Sequence, residues 1–391
     1  MRRHFCAALL ATCVTFLPLR AQVPVEPLPS AEPSPSVEET AVEGGDETDE
    51  AAAADNPFFS ADDLVGAPPV STLQLHGRLD LTYGHFEDSR NLDGFDRDFI
   101  NTLSSALYLS WDPVDRVRLL AEVEFEGVDS EVVVDQALIR FGERPRRIDF
   151  GISYVPFGLE RRFYAPSNNP LVDRPSPFRR VFPGTFNDFG VLLAYKLERD
   201  DGRFAGIEAA VTQGLDGPER DDRPDAFDDV DDLQIAGRFA LGLLAGFELG
   251  VSGLVVWYED DARRHRRLDF FGVDLLWEGE DHHIRFEYIE GAVEQGGAAG
   301  GNFRREGWYI EGMRRFRFDR PWLEGIEAVL RFDSVDENSR ARNFRDVDRW
   351  AFGLNWLPHV DWRVKTQYEI SDERGREISN NAFFTQIEYH F

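Results

Sequence analysis

Ala382-Phe383-Phe384-Thr385-Gln386-Ile387-Glu388-Tyr389-His390-Phe391 alternates almost without a break. Phe383, Thr385, Ile387, Tyr389 and Phe391 share one face of an extended strand, and Phe384, Gln386, Glu388 and His390 share the other. A period of two sends successive side chains to opposite faces of a sheet. A strand that is aromatic on one face and charged on the other separates an oily medium from a wet one.

The same rule recurs upstream. Leu73, Leu75, Gly77, Leu79, Leu81 and Tyr83 oppose Gln74, His76, Arg78 and Asp80. Val117, Leu119, Ala121, Val123 and Phe125 oppose Arg118, Glu122 and Glu124 after a turn expected at Asp112-Pro113. Phe247 to Trp257 and Trp350 to Trp356 are equally clear. Sixteen such segments are predicted between residue 71 and the end of the chain. Trp111, Trp257, Trp277, Trp356 and Trp362 fall at or near their ends, where aromatic girdles meet the two surfaces of a membrane. Short links such as Glu278 to Asp281 and Pro358 to Asp361 alternate with long polar ones such as Gly214 to Asp231. A soluble sandwich or propeller also alternates, but it has no need of aromatics at so many strand ends. The predicted fold class is therefore all-β: a transmembrane antiparallel β-barrel of about 16 strands.

No run of about 18 apolar residues follows the N-terminus, so no membrane helix is available. A closed barrel is the other way to satisfy every backbone group in lipid. Residues 1–21 read as a secretory signal: Arg2 and Arg3, an apolar run from Phe5 to Leu19, and a small residue at Ala21. Both cysteines, Cys6 and Cys13, lie inside it, so the mature chain has no disulfide, no thiol chemistry and no Cys-ligated metal. Residues 22–70 hold twelve acidic residues and no basic one, with eight prolines, and read as a disordered acidic linker. The barrel is assigned to 71–391, with a formal charge of -20 out of -29 for the whole chain. Such an acidic balance argues against nucleic acid as a partner.

Two groups of residues are candidates for function. The inward face carries Arg140, Arg238, Arg285, Arg331, Arg363 and Lys365, alongside Asp80, Glu122, Asp274, Glu287 and Glu327. The link from Leu159 to Asn187 is basic, with Arg161, Arg162, Arg174, Arg179 and Arg180 against Glu160 and Asp173. Five prolines stiffen it and five aromatics give it a surface to pack, so it is expected to fold into the lumen and narrow it. An exposed external loop is the alternative. His282-His283 lacks a matching ligand set, so neither a metal nor another cofactor is expected, and no nucleophile motif points to an enzyme. The acidic run Asp221 to Asp232 reads as a solvated outer loop.

Several stretches in this order resemble the phosphate-selective porin O and P family. They are Asp149-Phe150-Gly151, Pro156-Phe157-Gly158-Leu159-Glu160, Phe189-Gly190-Val191, Gly307-Trp308-Tyr309 and Gly353-Leu354-Asn355-Trp356-Leu357-Pro358. The ending on Phe391, with Tyr389 before it, resembles the closing strand of outer-membrane barrels, which the barrel assembly machinery reads. The family resemblance implies a sixteen-stranded barrel, usually a homotrimer, with a constriction loop after the fifth strand and arginines lining the pore. It departs from the family in lysine, of which the chain has only Lys196 and Lys365.

The expectation is thus a channel in the lipid of a Gram-negative-type outer membrane, passing small hydrophilic solutes. Small anions such as phosphate are favoured because positive charge gathers in the presumed constriction. A general or cation-preferring porin, a barrel-anchored surface-binding protein and a barrel enzyme are the competing readings.

Overall fold

In the computed structural model, the residues described are 73–87, 98–126, 131–159, 163, 168–182, 187–214, 233–259, 265–294, 302–340, 346–374 and 380–391. The segments assigned to a signal and a linker, Arg161, Arg162 and the acidic run after Gly214 lie outside them.

The strands are β1 (Leu73–Phe86), β2 (Asp98–Val114), β3 (Val117–Glu126), β4 (Glu131–Phe141), β5 (Arg146–Tyr154), β6 (Asn187–Glu198), β7 (Phe204–Thr212) and β8 (Leu233–Leu244). They continue as β9 (Phe247–Glu259), β10 (His265–Gly279), β11 (His282–Val293), β12 (Phe303–Arg320), β13 (Leu323–Asp336), β14 (Val347–His359), β15 (Trp362–Glu373) and β16 (Ala382–His390). Each pairs antiparallel with its sequence neighbours. β16 returns to β1 in register from Arg78 opposite His390 to Phe86 opposite Ala382, which closes the barrel at sixteen strands. Closure leaves no unpaired sheet edge, the condition for strands to survive in hydrocarbon.

The closing contact explains the chain end. Phe391 and Gly77 exchange backbone hydrogen bonds of 2.8 and 3.0 Å, and the Phe391 ring lies over Gly77. A Cβ at position 77 would stand 2.1 Å from that ring, so a larger residue there would displace the ring from this seat.

Exposure is inverted relative to a water-soluble sheet. Leu354 is 56 % exposed and Ile207 52 %, whereas Glu327, Arg331 and Lys365 are completely covered. Phe150, Leu193, Phe239, Val251, Phe271, Phe352 and Ile387 continue the apolar outer band around the barrel. A contiguous apolar belt of this extent is stable only against lipid. Trp308, Phe332, Trp350 and Phe352 touch in sequence along its surface, with centroids 4.8–6.5 Å apart. Trp362, Tyr389 and Phe391 form a second aromatic run toward the other end.

Two-residue turns at Glu280-Asp281, Pro321-Trp322 and Val360-Asp361 mark one mouth of the barrel. One turn corrects the sequence reading. Asp112 and Pro113 belong to β2, and the chain reverses at Asp115-Arg116, with Arg116 at φ 60°. Asp112 lies where the β2–β3 register shifts, and its carboxylate takes both a 2.6 Å and a 3.0 Å bond from Arg118 on β3.

Candidate functional site

After Tyr154 the chain leaves the barrel wall and turns into the lumen. Gly158 sits at φ +61°, and a Cβ there would come within 2.6 Å of the Glu287 carboxylate. The absence of that atom lets the backbone lie against the wall. Gly158 N–H donates to Ser252 Oγ on β9 at 3.0 Å, and Leu159 N–H to Glu287 Oε1 on β11 at 3.1 Å. Further along, a single helical turn, α1 (Ser176–Arg180), begins with Pro177 in its first turn, where the preset φ helps and no N–H is lost. Val181 and Phe182 N–H groups close it onto Pro177 O at 2.9 and 3.0 Å.

Apolar burial holds this segment inward. Phe157, Phe178, Val181 and Phe182 are buried against Leu254, Val256, Phe270, Ile289 and Tyr309 of the inner wall. Phe157 and Phe182 stack at 4.5 Å, and Phe178 meets Tyr309 edge-on at 6.3 Å. Gly307 leaves room for Pro177 and Val181, whose atoms would stand 3.1 Å from a Cβ there. Each large side chain buried in this way contributes on the order of 1.5–3 kcal/mol.

Polar wall residues grip the loop further along. Asn355 donates to Pro170 O at 2.8 Å. Gln367 Oε1 accepts from Val172 N–H and Asp173 N–H at 2.6 and 3.1 Å. Arg331 donates to the carbonyls of Asp173 and Arg174 at 2.9 and 3.2 Å, and Arg349 to that of Arg174 at 2.9 Å. Arg285 donates to Asn169 at 2.8 Å and lies 4.4 Å over the Phe163 ring. The Asp173 carboxylate receives Arg349 from the wall and Arg179 from the loop itself. Burial by itself raises this carboxyl, but Arg179, Arg349 and Arg331 outweigh burial and hold it well below the ordinary carboxylate range.

The inward basic residues expected from the sequence do face inward, and they are matched by carboxylates. Arg140 pairs with Asp149 at 2.9 and 3.0 Å. Arg238 bonds to Glu248 at 2.7 Å and to Asp274. Arg285 pairs with Glu311 at 2.7 Å, Arg331 with Asp333 at 3.2 Å, Arg363 with Glu327, and Lys365 with Glu388. Burying such a charge costs several kcal/mol unless it is paired, which is why the wall carries both signs.

On the loop, Arg174 is half-buried with its carbonyl clamped. Arg180 is about one-third exposed, 3.9 Å from Glu337. Arg179 is half-exposed and reaches Asp173. Arg349, Asn355 and Gln367, which hold the loop, did not stand out in the sequence. His283 Nε2 lies 3.1 Å from Glu311 Oε1, and the described residues contain no cluster of three or more His, Cys, Asp or Glu able to hold a metal.

The chain matches no protein-family model. An uncharacterized protein of Aquifex aeolicus (strain VF5) is 22% identical over 352 residues, covering 79% of each chain. Among solved structures, the anion-selective porin from Comamonas acidovorans superposes with a TM-score of 0.57 at 12% identity, over 82% of this chain and 100% of that one. OmpT of Vibrio cholerae in its trimer form gives 0.53 at 12% identity, over 82% and 100%. At such identities the likeness is one of fold. The architecture is that of the outer-membrane porins, a closed sixteen-stranded barrel.

Proposed function

We propose that this protein is a passive diffusion channel of the outer membrane of a Gram-negative-type bacterium, passing small hydrophilic solutes with a preference for small anions. One observation carries the reading. A loop from β5 to β6 packs on the inner wall by its aromatic face and carries half-exposed Arg179, paired with Asp173, and one-third-exposed Arg180, 3.9 Å from Glu337. Among its described residues the loop sets Arg174, Arg179 and Arg180 against Asp173 alone, so the loop itself is net positive. Rings of fixed charge at a narrow point select ions by electrostatics alone.

Phosphate fits such a site by charge and by guanidinium geometry, and the likeness to an anion-selective porin points the same way. No chemical step and no cofactor enters the reading. The barrel is proposed to assemble as a homotrimer, as in the trimer form of OmpT, and to be recognised by the assembly machinery through Phe391.

The test is the current through purified full-length protein in a planar bilayer under a potassium chloride gradient. The expected outcome is stable conductance with a reversal potential favouring chloride. A potassium preference would replace the anion reading by a cation-preferring porin. Absence of conductance would leave the surface-binding barrel.

A further inference from the structure

The clamp around Asp173 has a consequence for selectivity. Among the described loop residues it is the sole carboxylate, facing Arg174, Arg179 and Arg180. It bonds to Arg179 of the loop and to Arg349 of β14, and its backbone carbonyl takes Arg331 at 2.9 Å. Arg349 also reaches Asp333 at 2.9 Å and Glu369 at 3.0 Å, so the wall side of this hub is compensated without Asp173. Arg179 is different. The bond to Asp173 is the ion pair that the half-exposed Arg179 side chain makes, and it ties that guanidinium back toward the wall.

We propose that Asp173 is a specificity-determining residue of the channel: its carboxylate offsets the exposed charge of Arg179, and so limits the anion preference of the constriction. The inference rests on the reading of this loop as the constriction. The carboxylate and the clamp are separable in the structure. Val172 N–H, Asp173 N–H and the carbonyls of Asp173 and Arg174 are held by Gln367, Arg331 and Arg349 through backbone atoms. Replacing the carboxylate by an amide keeps those bonds and changes the charge by one unit.

A unit charge at roughly 8 Å in an aqueous pore changes the local concentration of a monovalent ion about twofold. Asp173→Asn is therefore expected to raise the chloride-to-potassium permeability ratio about fourfold, since chloride is enriched and potassium depleted by the same factor. Asp173→Glu is expected to restore the wild-type ratio. Arg349→Gln leaves the carboxylate in place and removes a wall cation, so it is expected to move the ratio toward potassium.

Reversal potentials of full-length wild type and the three variants, each verified as folded by heat-modifiable migration on a gel, decide the matter. If Asp173 only fastens the loop, Asp173→Asn will raise current noise and leave the reversal potential where it was. That result overturns the proposal, and Asp173→Ser gives the same reading if Asp173→Asn does not fold. A wild type without conductance would instead refute the channel itself, which is a distinguishable failure.

Discussion

At Asp173 burial and charge oppose each other, and charge prevails. The carboxyl lies below its ordinary value of 3.8 because Arg179, Arg349 and Arg331 stabilise its ionised form more than burial destabilises it. A folded-state value below the unfolded one means stabilisation that is present above the unfolded value and is lost as pH falls through the lower folded one. Arg349 also faces Glu369 and Asp333, and Arg331 faces Glu311. The loop should therefore stay latched in mild acid. Single-channel traces are expected to remain quiet from about pH 7 down to about pH 4, with noise rising only below that. Noise that begins near pH 6 would assign the latch to another group. Inward orientation of Arg285, Arg331 and Lys365 was readable from the period of two. Their partners were not, since Arg363 on β15 reaches past β14 to Glu327 on β13, a contact fixed by barrel register and not by spacing in the chain.

Among the elements, the inward loop shows how one segment rewrites the rules for the strands beneath it. Gly253-Leu254-Val255-Val256-Trp257-Tyr258 is apolar on both faces, because Val255 and Trp257 point outward while Leu254, Val256 and Tyr258 are covered from within. Two-sided burial removes alternation, as in sheets covered on both faces. That continuous run was the available sequence signal for where the loop docks. A second departure lies in β4, where a register shift opposite Glu122 and Val123 turns both Asp135 and Gln136 inward. A bulge of this kind changes parity and leaves no mark in composition. Docking itself depends on Phe157, which is 2 % exposed. Phe157→Ala is expected to weaken the packing of the loop by about 3–5 kcal/mol. Its measurable effect is a larger conductance and faster entry of sugars in liposome swelling. Unchanged size exclusion would mean that the polar clamp from Pro170 to Arg174 holds the loop without the aromatic seat.

For the molecule as a whole, one inversion governs everything: apolar outside, paired charge inside. The alternating pattern at Ala382 to Phe391 already implied it, since a strand of that kind has a wet face and an oily one. The sequence alone left open whether the oily face met lipid or a second sheet. Closure of β16 onto β1 answers that, because a single closed sheet has no partner layer to cover Leu354, Ile207 or Phe150. A cation placed on the two faces should then have different effects. Leu354→Arg puts a guanidinium into hydrocarbon and is expected to cost about 2–4 kcal/mol if its site lies near the bilayer midplane. Gln386→Arg points into the lumen beside Lys365 and Thr82, where Glu388 pairs with Lys365, and is expected to change stability less and conductance more. Urea-induced unfolding in lipid vesicles measures the first, and bilayer current the second. Equal losses of stability from the two substitutions would mean that the outer band does not face lipid, and the permeation pathway through the lumen would lose its physical basis.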